Sequence, residues 1–210
     1  GPWLLLAGCR GPLSTLDPAG PAAHSTATLF WIMAIVSAIF TVAVGGLFLR
    51  AVSRNRRNAS VAANEALWTR WLGIGLPLAV LALLMAATLW LGERQFARDP
   101  GLPVVRATAS QWGWRFEPVG PGGVVGPATT RLEMEAGQPV IVDLVSTDVI
   151  HSFWVPRLAG KMDVVPGKVN RHLLEADRPG IYQGQCAEYC GVGHDHMRFE
   201  VVVRGSGDGP

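Results

Sequence analysis

Charge is scarce in this 210-residue chain, and its scarcity is uneven. Lys, Arg, Asp and Glu make up 16% of the residues, yet none falls within Ala27–Leu49 or Trp71–Leu91. Each run reaches the ~20 apolar residues that a helix needs to cross a hydrocarbon core. A buried helix of a soluble domain is the alternative, and two such runs in succession weigh against it. Also missing is any basic excess in the C-terminal half, where thirteen acids from Asp99 onward face ten Lys and Arg. That balance excludes a nucleic-acid partner and is compatible with a basic protein partner. No repeat, heptad or low-complexity tract is present. Cysteine is limited to three positions, so Cys186 and Cys190 could form at most one disulfide in the C-terminal half.

What is present divides the chain into four stretches. Residues 1–26 form an outer N-terminal segment in which Cys9 follows Leu6-Ala7-Gly8 and an apolar stretch, a pattern that resembles the lipobox of bacterial lipoproteins. Acylation of Cys9 is one expectation and a spectator thiol is the other; neither an initiator Met nor a basic leader precedes it. Residues 27–98 are expected to form a transmembrane α-helical hairpin with spans at 27–49 and 71–91. The connection carries Arg50, Arg54, Arg56, Arg57 and Arg70 against the single acid Glu65. The positive-inside rule then places the connection in the cytoplasm and both termini outside. Residues 99–204 change to short β-type runs: Val104–Ala107, Arg131–Glu135, Pro139–Val145, Val169–Leu174, Ile181–Gln183 and Phe199–Val203. Pro-Gly turns at 121–122, 166–167 and 179–180 punctuate them, which predicts an antiparallel sandwich or barrel. Residues 205–210 are a tail.

The chemistry concentrates in Cys186-Ala-Glu188-Tyr-Cys190-Gly-Val-Gly-His194-Asp-His-Met197. Two thiols, an imidazole and a thioether can all turn inward on one loop, and His151 is within reach in a β-sandwich. Soft thiolate and thioether with borderline imidazole is a ligand set that copper favours. One thiolate with two imidazoles would suit a mononuclear site, whereas two thiolates could bridge a pair of coppers and spread an added electron over both. The backbone carbonyl of Glu188 would then complete the set. Zinc also accepts two Cys and two His but would leave Met197 idle. A Cys186–Cys190 disulfide is the bland reading, and it would not require His194 and Met197 beside it.

Four stretches together resemble the subunit 2 family of cytochrome c oxidase: Ser110–Trp114, Asp148–Pro156, Gly160–Lys168 and Arg178–Met197. The likeness runs from about Leu16 to Val203. It implies a cupredoxin-like Greek-key sandwich behind the two spans, on the outer side of a bacterial inner membrane. It implies a binuclear copper-A centre held by His151, Cys186, Glu188 through its carbonyl, Cys190, His194 and Met197. It further implies a Mg or Mn ion bound by the Glu188 carboxylate at the boundary with subunit 1, and Trp112 as the place where electrons from cytochrome c arrive. Core packing is the alternative for Trp112 and Trp114. Glu65, followed by Leu67-Trp68-Thr69, resembles a glutamate at the mouth of a proton path into subunit 1; a helix-start acid favoured by the helix dipole is the alternative. The resemblance assigns haem to the partner subunit, and the spans of this chain contain no haem ligand. The related quinol oxidase subunits keep the fold without the copper ligands, and a copper-A subunit of a nitric oxide reductase would share every ligand.

The chain also departs from the family pattern. Gly113 and Phe116 stand where tyrosines are usual, and Pro118–Pro127 is neutral where acids that dock cytochrome c are common. His196 is expected to face away from the metal, and His24 and His172 to be surface residues. No Cys-X-X-Cys-His sequence follows the loop, so no fused haem c domain is expected.

Overall fold

In the computed structural model the described residues are 10–53, 66–93, 101–124 and 126–205. Cys9 and Glu65 lie outside them. The chain forms two compact units, an apolar helical unit from Leu29 to Arg94 and a second unit that joins the N-terminal segment through Thr28 to everything from Gln95 onward.

The helical unit is apolar on all sides. Helix α1 spans Pro21–Ser53 and contains a window of mean hydropathy 2.5; the second span, Thr69–Trp90, reaches 2.3, and no residue of either window is buried within the protein. A helix apolar all round needs an apolar medium. Two hydroxyls are satisfied within their helices: Thr41 Oγ1 donates to the Ser37 carbonyl and Thr88 Oγ1 to that of Leu84, each at 2.8 Å. Such back-bonding pairs these donors where no water can serve them. α1 begins at Pro21, ahead of the expected span boundary at Ala27. A proline is tolerated there because first-turn N–H groups have no intrahelical partner. Ala27 therefore marks where the strongly polar residues stop, not where the helix starts. The second helix opens with a wide-turned segment, Ala66–Gly75, wound as a π-helix, and continues as α2, Leu76–Glu93. The change of winding coincides with Pro77, which lacks the N–H that an uninterrupted α-helical ladder would use at this position.

Among the described residues the sandwich has ten strands: β1 Val104–Ser110, β2 Gly113–Gly120, β3 Gly123–Val124, β4 Arg131–Glu135, β5 Val140–Ser146, β6 His151–Trp154, β7 Met162–Val164, β8 Asn170–Leu174, β9 Gly180–Cys186 and β10 Arg198–Arg204. One sheet has the order β3-β2-β1-β5-β8 and the other β4-β10-β9-β6-β7. The expected sandwich is present, but it is not purely antiparallel: β1 runs parallel to β5, and β4 parallel to β10. These pairings join strands distant in sequence, which period-2 alternation cannot reveal. Burial alternates along β4 and β10, as a sheet with one solvated face requires, while β5 is buried almost throughout.

An aromatic cluster fills the space between the sheets. Phe153 and Phe199 stack with centroids 4.8 Å apart, and Trp114 meets their edges at 5.5 and 5.2 Å. Gly184 lies on β9 against the Phe199 ring, where a Cβ would overlap it. Truncating Phe199 to Ala should cost about 3–5 kcal/mol of stability, read from denaturant unfolding. Little loss would mean that the stack does not anchor the sheets.

The segment before α1 belongs to the sandwich. The Ala19 N–H donates to the Arg157 carbonyl at 2.6 Å, and the Asp177 N–H donates to the Ala19 carbonyl at 2.8 Å. Arg157 grips Asp17 at 2.9 Å, and its guanidinium lies over the Tyr182 ring. Ala19 is fully buried, and a Cβ on Gly20 would run into the Glu175 and Leu158 carbonyls. His24 is a surface residue, as expected, and pairs with Asp177 at 3.2 Å.

His172 corrects the expectation of a surface histidine. It lies 4% exposed on β8, edge-on to Phe153, with neither ring nitrogen hydrogen-bonded in ordinary geometry. Burial lowers its pKa from 6.5 to about 4, against a weaker upward pull from the Gly160 backbone. The native state thus keeps this ring neutral where the unfolded chain would protonate it. Stability should fall as pH drops from 6.5 towards 4, by a total of about 3 kcal/mol from this residue. Comparing the acid dependence of unfolding in the full chain with that of His172→Leu isolates the effect. Parallel curves would refute it.

Candidate metal centre

Three strands deliver the donors. His151 opens β6, Cys186 ends β9, and Met197 immediately precedes β10. β9 pairs with both of its neighbours: Phe153 lies opposite Cys186, and β10 returns antiparallel from Arg198 opposite Gln185. The Cys186 N–H donates to the Met197 carbonyl at 2.9 Å, closing the loop, and the Ala187 N–H ties it to the Ser152 carbonyl at 3.0 Å. Within the loop Gly191 has φ +119°, a conformation that favours glycine, and His194–His196 form a single 3-10 turn.

The result is a convergence of donor atoms. Cys186 Sγ lies 3.8 Å from Cys190 Sγ, 3.9 Å from His151 Nδ1 and 3.2 Å from the Glu188 carbonyl oxygen. Cys190 Sγ lies 3.6 Å from His194 Nδ1 and 3.7 Å from Met197 Sδ. The ligand atoms of His151, Cys186 and Cys190 all fall within 4.8 Å of one another. His151, both cysteines and Met197 are buried, and His194 is half-buried. The cysteines are free, so the disulfide alternative is not formed. The thioether points into the cluster, where copper would use it and zinc would not. Burial first, then the neighbouring Cys186, pushes the Cys190 thiol up to about 11. A cation entering this pocket therefore displaces protons and binds more tightly as pH rises.

Asp148 was not among the expected site residues. Its Oδ1 accepts from His151 Nε2 at 2.7 Å and from the Val149 N–H at 2.7 Å, and its Oδ2 accepts from the Gln111 N–H at 2.7 Å. Burial alone would raise this carboxyl, but the hydrogen bonds from His151, Gln111 and Val149 outweigh it and hold its pKa below the usual carboxylate value. With Nε2 engaged, Nδ1 of His151 is left facing the sulfurs, so the carboxylate fixes both tautomer and ring orientation. The available signal was its place three residues before His151, one short turn away.

Trp112 stands against the loop. Its Nε1 donates to the Cys190 carbonyl at 3.2 Å, and Gln111 Nε2 donates to the same oxygen at 2.8 Å. The indole lies so close to Gly193 that a Cβ there would be 2.5 Å from Cδ2. Trp112 is 43% exposed and Trp114 is 6% exposed, so packing in the core accounts for Trp114 alone. The Glu188 carboxylate does not join the sulfurs; it turns outward to Lys161 Nζ at 3.5 Å. His196 faces away and pairs with Asp195 at 2.7 Å.

A family profile for the periplasmic domain of cytochrome c oxidase subunit II matches residues 127–205. Across 95% of its length the chain is 35% identical to cytochrome c oxidase subunit 2 of Alkalihalophilus pseudofirmus. Over residues 127–205 the chain carries the periplasmic domain of the cytochrome c oxidase subunit 2 family. It spans 61% of the length of that relative. It is 28% identical to an alternative cytochrome c oxidase subunit 2 of Bradyrhizobium diazoefficiens, over 85% of this chain and 74% of that one. The crystal structure of the periplasmic domain of subunit II (CoxB) of Bradyrhizobium japonicum superposes with a TM-score of 0.46 and 25% identity, over 52% of this chain and 88% of that one. The likeness to subunit 2 over nearly the whole chain and the two apolar helices make this a membrane protein carrying a two-sheet β-sandwich domain. The His/Cys/Cys cluster fits the copper chemistry of that assignment.

Asp148→Ala should leave the sandwich folded while weakening copper binding about 10–100-fold, measured by competition with a chelator. Unchanged affinity would show that His151 is held without the carboxylate.

Proposed function

We propose that this chain is the electron-accepting subunit of a respiratory cytochrome c oxidase. It takes single electrons from reduced cytochrome c at a binuclear copper-A centre and passes them to haem in subunit 1, where oxygen is reduced to water and protons are pumped. The observation that carries this reading is the convergence of two free thiols, two imidazoles, a thioether and a carbonyl in one shielded pocket of a subunit 2 relative. His151, Cys186, Cys190, His194, Met197 and the Glu188 carbonyl would hold the metal. When bound, the copper pair supplies a site that gains and loses one electron with little rearrangement.

The chain's own residues do the rest. The β6–β9–β10 frame holds the donors at fixed separations, and burial of the sulfurs keeps water from them. Asp148 orients His151. Trp112, exposed on one side and hydrogen-bonded to the Cys190 carbonyl on the other, offers electrons from a docked donor a short way in. Glu188 spans two environments, its carbonyl beside Cys186 and its carboxylate turned outward, where Lys161 now neutralises it and a Mg or Mn ion at the subunit 1 boundary would replace that role. By the positive-inside rule the arginine-rich connection would lie in the cytoplasm and the sandwich outside, and Glu65 on that side would stand at the mouth of a proton path.

The test is electron paramagnetic resonance of the full chain in detergent after loading with copper. The expected spectrum shows one unpaired electron shared equally by two copper nuclei, with two coppers taken up per chain. A single-copper hyperfine pattern, or colourless uptake of zinc in preference, would overturn the binuclear reading. Met197→Leu should keep the fold and shift the reduction potential, because a weak axial ligand tunes it. An unchanged potential would reduce Met197 to packing.

A further inference from the structure

The ligand loop has little stiffness of its own just after Cys190. Gly191 and Gly193 flank Val192, and Gly191 sits at φ +119°. Glycine imposes no steric preference, so local geometry leaves the Cys190–Gly191 peptide free to turn. Its carbonyl is held from outside instead. Gln111 and Trp112 form the tip between β1 and β2, strands of the sheet opposite to the one that carries the candidate ligands. Gln111 Nε2 donates to the Cys190 carbonyl at 2.8 Å and Trp112 Nε1 at 3.2 Å, which engages both lone pairs of that oxygen. The shorter bond is the glutamine's. A Cβ at Gly191 would stand 3.1 Å from the same amide nitrogen, so the bare backbone is what lets Gln111 come this close.

Gln111 has a second hold on the site. Its backbone N–H donates to Asp148 Oδ2 at 2.7 Å, and Asp148 Oδ1 lies 2.7 Å from His151 Nε2. One residue thus reaches a loop ligand through its side chain and a β6 ligand through its main chain. Cys190 Sγ and His151 Nδ1 stand 3.8 and 3.9 Å from Cys186 Sγ, and a shift at either end of this bridge would make those separations unequal.

Resting on the copper reading above, we propose that Gln111 is a positioning residue for that centre. Its amide pins the Cys190 carbonyl, and with it the thiolate, while its N–H keeps Asp148 against His151. The amide also turns the positive end of an N–H dipole towards the ligand loop, which favours the form carrying the extra electron. Hydrogen bonding around a thiolate ligand is a lever on reduction potential. The side chain therefore governs both the potential and how evenly the metal positions share the electron.

The experiment loads the full chain in detergent with copper and compares it with Gln111→Leu and Gln111→Lys. Leucine fills similar space without a donor, lysine restores a donor, and both keep the main-chain bond to Asp148. Gln111→Leu is expected to fold and take up copper, with a lowered reduction potential and unequal hyperfine coupling to the two nuclei in paramagnetic resonance. Gln111→Lys is expected to bring the couplings back towards equality. Gln111→Leu with the potential and couplings of the parent, or Gln111→Lys as uneven as Gln111→Leu, would overturn the positioning role while leaving the copper reading intact. A second measurement needs no metal. In the copper-free chain the Gln111 side-chain amide protons are expected to exchange with solvent several-fold more slowly than those of an exposed glutamine, and equal rates would overturn the bond to Cys190. A parent chain that takes up one copper or none refutes both readings.

Discussion

The centre depends on one constraint, the pairing of β9 with β6 on one side and β10 on the other. Cys186 is opposite Phe153 across one ladder and hydrogen-bonded to Met197 at the mouth of the other. These contacts place a thiol, an imidazole and a thioether from three separate parts of the chain in one pocket before any cation arrives. The stack of Phe153 on Phe199 sets the same strands from beneath: Phe153 faces Cys186 across one ladder, and Phe199, two residues after Met197, faces Gly184 across the other. A slip of one residue in either ladder would point the sulfur to the opposite face of the sheet. The metal pocket and the hydrophobic core are therefore fixed by a single register.

Electrostatics complete what register begins. Burial, with Cys186 beside it, keeps the Cys190 thiol protonated in the absence of a cation. The one carboxylate that approaches a candidate ligand, Asp148, is held to its ionised form by three donors and never faces the sulfurs. Loop and frame are thus tied by a circuit of hydrogen bonds, from Trp112 and Gln111 to the Cys190 carbonyl, and from the Gln111 backbone through Asp148 to His151. Such a circuit lets a side chain on the surface and a ligand in the interior keep a constant spacing.

Much of this was legible in the sequence because the informative signals were local. The spacing of Cys186, Cys190, His194 and Met197 lies within one loop, and the apolar runs are long enough to stand out from any background. Alternation in Arg131–Glu135 and Phe199–Val203 gave strands at the observed places. What escaped was long-range. The parallel pairings of β1 with β5 and β4 with β10 leave no local trace. Short strands such as β6 and β7 are defined by their partners rather than by composition. His172 read as a surface residue because an isolated imidazole carries no signal of burial, and Asp148 was overlooked because its role depends on which way the His151 ring turns.

The clasp between Asp17–Gly20 and the loops at Arg157 and Asp177 joins residues that precede the first apolar helix to residues that follow the second. Both partners of that clasp must lie on one side of any bilayer the helices cross. Assembly of the sandwich therefore has an order. The early segment can close onto the sandwich only once the later loops that receive it have been made. A fragment cut after the second helix would carry every candidate ligand of the metal pocket yet leave an open seam where Ala19 belongs.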